Sequence, residues 1–447
     1  MQLLSTDWFQ QALEQLPRAG RFWIAFSGGL DSRVLLELCA RLKSVNQKYL
    51  FSAIHVNHQL QTNAVKWGQF CTATCAELGI DCIVKTVDAR SVHGKSPEQA
   101  ARDARRVAFS QAMENGDVLL TAHHQNDQAE TVLLRLFRGA GITGLAGIRP
   151  CVEFNSGWIA RPLLEVSRKQ LQQFAEQYSL QWVEDPSNQS INFERNYLRQ
   201  VIIPQLEQRW PGLQNTLVRN ARNYLESDSV LRKIGKQTFS QVVTDNGALS
   251  ITQLMTVDNA MQNLVLREWF ASQQLNMPSS KLLQRIKQEV IHARVDRLPC
   301  LKWLNDGEQY QIRRYRDRLF ILKNQSMFNN TTSIQWDGIS VLKLPANLGC
   351  LTVDKSLADG ISEQMWNQSE ITIRFRTGGE TCLLPGREGH RSLKSIFQEA
   401  GVPPWERDRM PLVYLDNQLA AIGKLWVCAP FYAASEQPAV ILQYSFD

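Results

Sequence analysis

Short apolar runs alternate with amphipathic stretches through the N-terminal part of the chain. Phe22–Phe26 is an apolar run of strand length, Asp31–Leu42 repeats its apolar positions with a helical period, and Tyr49–Val56 returns to strand character. The alternation continues with a helix over Asn63–Leu78 stopped by Gly79, a strand at Cys82–Val87 and a helix over Pro97–Glu114. A strand at Val118–Ala122 and a helix over Asn126–Arg138 follow, the latter with Leu133, Leu134, Leu136 and Phe137 placed for burial. Four strands interleaved with helices predict an α/β fold with a doubly wound parallel sheet. Trp158–Ala160 offers a fifth strand ahead of a helix at Arg168–Tyr178.

The pattern changes beyond Pro211. A long helix runs from Leu213 to about Lys233, further helices fall at Gln262–Phe270 and Lys281–Val290, and a basic strand spans Gln311–Leu322. This predicts a helix-rich second domain. Asn324–Ser333 is polar and suits a linker. Beyond it, Ile371–Phe446 mixes short strands with one helix, Ser392–Ala400, stopped by Gly401 and followed by Pro403 and Pro404. The expected division is therefore 1–211, 212–325 and 335–447, the last a small α+β domain, with no internal repeat at a solenoid period.

Composition adds exclusions. A chain of 447 residues with 44% apolar and 21% charged residues is ordinary globular protein, which excludes disorder, collagen and a disulfide scaffold. A net charge of +6 leaves room for a basic face that meets phosphates, and equally suits a merely solvated surface. The nine cysteines are scattered without a C-x-x-C pair and read as reduced thiols; Cys71 and Cys75, four apart, fit small buried hydrophobes better than a metal pair. Met1–Leu16 carries Asp7 and Glu14 and lacks a basic start with an apolar stretch, and Leu425–Ala434 is too short to span a bilayer. A cytoplasmic protein without a membrane partner is expected. A homodimer is compatible with the sequence, which does not set the oligomeric state.

The first strand ends in Ser27-Gly28-Gly29-Leu30-Asp31-Ser32 and runs directly into a helix. That arrangement aims free backbone N–H groups and a positive dipole end at an anion, and the glycines let phosphate oxygens approach the backbone. Ser27 and Ser32 add hydroxyl donors, while Asp31, an acid in an anion site, makes sense as the holder of a cation or an amine. A Walker loop would need different spacing and a lysine. The six residues resemble instead the S-G-G-x-D-S pattern of the PP-loop family, which implies an adenine nucleotide alpha hydrolase-like fold that binds ATP and splits it at the α-phosphate.

Further motifs lie where open α/β sheets place ligands. His55-Val56-Asn57-His58 ends the second strand, though either histidine alone also suits a satisfied loop. Ser96 and Pro97 start a helix that puts Glu98, Arg102 and Arg105 on one face, an arrangement shared with plain exposed ion-pair ladders. After the fourth strand, His123, Asp127 and Glu130 gather on one side of a helix start. Acids there complement the helix dipole, and beside a phosphate loop they are candidates for Mg²⁺ or an amine substrate. Glu184-Asp185-Pro186-Ser187-Asn188 leads into Asn192–Arg199, whose Arg195 and Arg199 suit an RNA backbone as well as a capped surface helix.

In this order the segments resemble the tRNA(Ile)-lysidine synthetases, and so does the C-terminal stretch from Arg391 through Lys394, Gly401, Trp405 and Arg407 to Asp408. Two departures are small: Gln59 stands where a glycine often follows H-V-N-H, and Val107 where an aromatic follows Arg106. The resemblance implies that ATP activates the C2 carbonyl oxygen of the wobble cytidine in an isoleucine tRNA with a CAU anticodon. The ε-amine of free L-lysine then displaces AMP. It implies Asp31, Asp127, Glu130 and Arg102 as catalytic residues, and Ser27, Gly28, Gly29, Leu30, Asp31, Ser32, His55 and His123 around the nucleotide. Mg²⁺ falls to Asp31 and Asp127, and tRNA to Arg105, Arg195, Arg199 and Lys394, with the two C-terminal domains as readers of tRNA identity. A PP-loop thiolase would need a suitably spaced cysteine pair, and an amidotransferase-linked synthetase a glutaminase segment; neither is present in the sequence. A non-catalytic tRNA or nucleotide binder is opposed by intact Ser27, Asp31, Ser32, Asp127 and Glu130.

Overall fold

The computed structural model describes residues 4–57, 64–87, 97–294, 298–324, 330–357, 359–434 and 436–445. The chain forms two compact units, Met1–Ile234 and Gly235–Asp447.

The first unit opens with helix α1 (Thr6–Glu14), strand β1 (Phe22–Ala25) and helix α2 (Leu30–Val45), then β2 (Phe51–Asn57), α3 (Ala64–Glu77) and β3 (Asp81–Thr86). Next come α4 (Pro97–Ala112), β4 (Val118–Leu120), α5 (Gln125–Phe137), the short α6 (Ile142–Leu145), β5 (Cys151–Phe154), β6 (Gly157–Ala160) and α7 (Arg168–Gln177). The described strands form one sheet in the order β3-β2-β1-β4-β6-β5, parallel throughout except for β5, which runs antiparallel to β6.

Both faces of the sheet are buried, and the two-residue period sorts the side chains. Phe22, Ile24, Phe51, Ala53, Val118 and Leu120 join a core with Phe9 of α1, Leu35 and Leu38 of α2 and Phe174 of α7. Trp23, Ile54, Leu119 and Ile159 turn the other way, to meet Phe109 of α4. Periodicity missed α1 and β5. The latter, Cys-Val-Glu-Phe, pairs only with β6 at the sheet edge, where one covered face is enough and no long apolar run is needed. The order of strand addition reverses between β1 and β4, so the crevice beyond their C-terminal ends is the ligand position favoured by such folds.

After α7 the chain continues through α8 (Glu194–Tyr197), one turn of π-helix (Leu198–Ile202), α9 (Ile203–Arg209) and the long α10 (Leu213–Val242). Ala129, Val132 and Leu133 of α5 pack with Leu198, Ile203, Leu217 and Ala221. Asp228, 3% exposed on α10, takes hydrogen bonds from Arg149, from Thr143 Oγ1 at 2.6 Å and from Arg232 Nε at 2.8 Å. Leu136 and Phe137, expected to be buried, are instead 51% and 66% exposed, because α5 turns only its Ala129–Leu133 stripe inward.

In the second unit the helices Asn259–Ser272 and Ser280–Arg285 cover a four-stranded antiparallel sheet of Leu249–Ser250, Arg318–Lys323, Glu308–Tyr315 and Cys300–Asn305. The single basic strand expected at Gln311–Leu322 is a hairpin, with Arg316 at its turn in a positive-φ conformation of 54°. The C-terminal part is built on two five-stranded antiparallel sheets among the described residues. Helix Leu393–Glu399 is capped by Ser392, whose hydroxyl accepts from the Ser395 N–H at 3.2 Å. Two cysteines depart from the expected free thiols: Cys382 and Cys428 are disulfide-bonded, brought together by burial in the C-terminal core. Among the described residues no helix is long and apolar enough to cross a membrane.

Gly157 opens β6 against the Asp117 backbone, where any Cβ would be driven into the Asp117 carbonyl oxygen. Gly157→Ala is expected to cost about 1–3 kcal/mol of stability as an overpacked contact, measured as a lowered urea midpoint at unchanged slope.

Candidate active site

The loop after β1 is held rigid by its own hydroxyls. Ser32 Oγ donates to the Gly29 carbonyl at 3.0 Å and accepts from the Ser27 N–H at 3.2 Å. The Ser27 and Ser32 hydroxyls lie 3.0 Å apart. Because the Ser32 proton is committed to Gly29, Ser27 is the donor between them. Gly28 adopts φ of 87° and packs over the buried Cys71, and its carbonyl accepts the Val183 N–H at 2.9 Å. Gly29 then caps α2 without a side-chain bond, so the N–H groups of the first turn face outward.

His55 stands behind this loop. It is 5% exposed, and its Nδ1 lies 2.9 Å from the Phe26 carbonyl, tying β2 to the end of β1. Burial, only partly offset by that bond, pushes its pKa below the usual value. His58 and Gln59 lie outside the described residues, as does the Glu98 side chain.

Across the crevice, α5 starts from a reciprocal cap. His124 Nδ1 accepts from the Asn126 N–H at 3.2 Å, while Asp127 Oδ2 accepts from the His124 N–H at 3.0 Å. With Nδ1 accepting, the ring proton is on Nε2, which lies 3.5 Å from Asp31 Oδ2 and 3.6 Å from Asp127 Oδ2. His124 thus stands between the phosphate loop and the acids of α5. The sequence pointed to His123, but the capping geometry selects its neighbour for this position.

Glu130 is completely buried. Arg195 Nε donates to its Oε2 at 2.6 Å, Arg199 Nε to its Oε1 at 2.6 Å, and Arg199 Nη2 to Oε2 at 3.0 Å. Asp127 Oδ1 accepts from Arg195 Nη2 at 2.8 Å. Burial alone would raise the Asp127 carboxyl, but His124, Arg195 and His123 outweigh it and hold the group below its ordinary value. Burial likewise works against the charge of Arg199, and is overcome by the hydrogen bond and charge of Glu130 with help from Asp127 and Asp31. Asp31 differs from both: its Oδ1 is buried and has no hydrogen-bond partner among the described residues.

A cationic flank completes the crevice. Arg161 follows β6, and burial, with Arg102 and Arg106 nearby, lowers its pKa to about 10. His123 Nδ1 lies 2.9 Å from Thr121 Oγ1. Burial, with Arg161, Arg195 and Arg102, brings its pKa down to about 4, despite the opposing pull of Asp127. Arg102, on the exposed side of α4, therefore acts electrostatically on the same space as Arg161 and Arg195. Arg105 is also exposed on α4, whereas Lys394 belongs to the second unit. Sequence reasoning missed His124 and Arg161. For Arg161 a signal existed, since it follows a parallel strand at the end where ligands bind.

Residues 4–206 match the family model of the PP-loop domain, residues 249–320 that of the TilS substrate binding domain, and residues 371–444 that of the TilS substrate C-terminal domain. The tRNA(Ile)-lysidine synthase of Methylococcus capsulatus is 37% identical over 445 residues, covering 99% of both chains. Those of Photobacterium profundum and Coxiella burnetii are 37% and 36% identical over 94% and 93% of this chain, and 95% and 91% of their own. Among solved structures, a U34-tRNA thiolase from Methanococcus maripaludis is 19% identical with a TM-score of 0.41, covering 49% of this chain and 78% of that one. A TILS C-terminal domain is 23% identical with a TM-score of 0.22, covering 26% of this chain and 98% of that one.

Two outcomes test this geometry. Glu130→Gln is expected to lose about 1–3 kcal/mol in urea unfolding, because two guanidiniums lose a charged acceptor. The depressed His123 favours its neutral form in the fold, so its contribution is complete above about pH 6.5 and is lost as pH falls towards 4. The thermal midpoint of the wild type should therefore drop across that window more steeply than that of His123→Asn.

Proposed function

The chain belongs to the tRNA(Ile)-lysidine synthase family, and from that premise we propose that the crevice between the phosphate loop and α5 carries both steps of the family's reaction. The enzyme adenylates the C2 carbonyl oxygen of the wobble cytidine in tRNA(Ile) with ATP, releasing pyrophosphate, and the ε-amine of lysine then attacks C2 and displaces AMP. ATP binding belongs to the PP-loop domain. The observation that carries the site reading is the placement of Asp31, a loop acid whose buried Oδ1 has no hydrogen-bond partner among the described residues and whose Oδ2 lies 3.5 Å from Nε2 of the histidine that leads to Asp127.

That free oxygen fits a cation, so Asp31 is the residue that would hold Mg²⁺, together with phosphate oxygens of the nucleotide. When bound, the ion would supply charge compensation at the α-phosphate and the departing pyrophosphate. Asp127 offers less to a metal, since Arg195 and the His124 N–H engage its oxygens. The first-turn N–H groups of α2 receive the phosphates, with Arg102 and Arg161 on the opposite flank.

Lysine arrives as an ammonium and must lose a proton before it attacks. We assign its reception to the Asp31–Asp127 edge of the cluster. Glu130, with both oxygens bonded to arginines, is a positioning residue for Arg195 and Arg199.

The tRNA approaches along Arg195, Arg199 and Arg105. Phe193 and Tyr197, 46% and 43% exposed and joined by a 2.9 Å Tyr197 N–H to Phe193 carbonyl bond, present two rings one turn apart in the segment that carries Arg195 and Arg199. Unpaired loop bases stack on such rings. Recognition by regions 212–325 and 335–447, Lys394 included, belongs to the same proposal. So do the 1–211 catalytic division, a cytoplasmic location where tRNA is modified, and a homodimer as the assembly to test.

The deciding experiment incubates the protein with ATP, lysine and unmodified tRNA(Ile) bearing CAU, and measures the wobble nucleoside by mass spectrometry. Lysidine formation with lysine-dependent AMP release is expected, and an unmodified cytidine would refute the reading. Asp31→Asn should lower kcat by about 10²–10³-fold. Phe193→Ala with Tyr197→Ala should raise KM for tRNA roughly tenfold with KM for ATP unchanged.

A further inference from the structure

In the second unit, a cavity of about 270 Å³ lies between helix Asn259–Ser272 and the helix that starts at Ser280 and ends in a turn of π-helix, Ile286–Ile291. Lys287 lines it on that turn and is only 9% exposed. Two of its ammonium protons are used: Nζ donates to the Asn259 carbonyl at 3.2 Å and to Asn259 Oδ1. Both acceptors are neutral.

Arg267 lines the same cavity, and no described residue lining it is an acid. A guanidinium stays charged in any protein environment, so two cations share a small space without a counter-charge. Burial lowers the pKa of Lys287, and the charge of Arg267 adds to the same shift. Asn263, Ser280 and Gln284 complete the wall with amide and hydroxyl groups able to donate. A buried lysine and a half-buried arginine, with no acid among the described lining residues and with neutral donors around them, form a receptor for a compact anion with several acceptor oxygens. A cavity of about 270 Å³ has room for a phosphate group.

We propose that this cavity is a phosphate-binding site with Lys287 and Arg267 as its cationic walls. Two sources supply that chemistry: a backbone phosphate of the tRNA, which rests on the functional reading above, and free inorganic phosphate. All the polar residues named lie within residues 249–320, the stretch that matches the substrate binding domain. The backbone of the RNA substrate is therefore the source we assign.

The test uses the full chain with Arg267→Gln and Lys287→Met, the latter keeping the apolar stem of the lysine. One arm measures lysidine formation against tRNA concentration and salt. A site on the RNA backbone raises KM for tRNA at least about fivefold, leaves kcat and KM for ATP unchanged, and reduces the slope of log KM against log salt by about 1. The second arm measures thermal protection by inorganic phosphate with the nucleotide loop filled by a non-hydrolysable ATP analogue. Protection lost in the variants with an unchanged KM for tRNA keeps the site and assigns it to free phosphate. If both variants keep wild-type tRNA kinetics, salt slope and phosphate protection, the proposal is overturned. Should Lys287→Met fail to fold, Arg267→Gln decides alone. Absence of lysidine from the wild type would refute the functional reading, and the phosphate arm would still decide this one.

Discussion

A carboxylate with no exposure to water survives as an anion only if its neighbours replace the lost hydration. Glu130 meets that condition through three short bonds from Arg195 and Arg199, which come from a part of the chain remote in sequence. The requirement runs in both directions. The arginines fix where the chain after Val183 must return, and that return supplies Leu198 and Ile203 to the apolar packing against α5. Asp127 joins the same cluster while capping α5, so the helix start, the arginines and the floor of the crevice form one electrostatic unit.

The parts of this site that were legible in the sequence are those whose geometry is local. The run Ser27–Ser32 carries its strand, turn and helix start within a few residues, and its glycines and serines have identifiable tasks at those offsets. Asp127, Glu130, Arg195 and Arg199 were recognisable as chemistry-bearing residues, but not as partners of one another. Their pairing depends on tertiary return, which periodicity does not encode. His124 was passed over in favour of His123 because both follow the same strand. Only the cap formed with Asn126 and Asp127 decides which ring faces Asp31.

The same division holds for the fold. The doubly wound sheet could be read because apolar runs and helical periods alternate, and because a sheet buried on both faces needs little polar interruption. The Glu308–Tyr315 and Arg318–Lys323 hairpin could not. Its turn is made by Arg316 in a conformation that glycine or asparagine usually fills, so no turn signal breaks the basic run. Asp317 stabilises it from outside by accepting from Ser250 and Thr252, residues far away in the sequence. Cys382 and Cys428 show a similar limit, since their spacing resembles no recognisable pattern and only core packing unites them.

The bond from the Val183 N–H to the Gly28 carbonyl ties the Ser27–Ser32 loop to the stretch of chain that later delivers Arg195. Surface connections ordinarily tolerate added or lost residues, because closing a slightly longer loop costs little entropy. This connection is different, for it is anchored to the Ser27–Ser32 loop at one end and to a buried carboxylate at the other. It works as a ruler. Substitutions along it can be absorbed, whereas a change in its length would move a guanidinium away from the one acid that cannot be left without it.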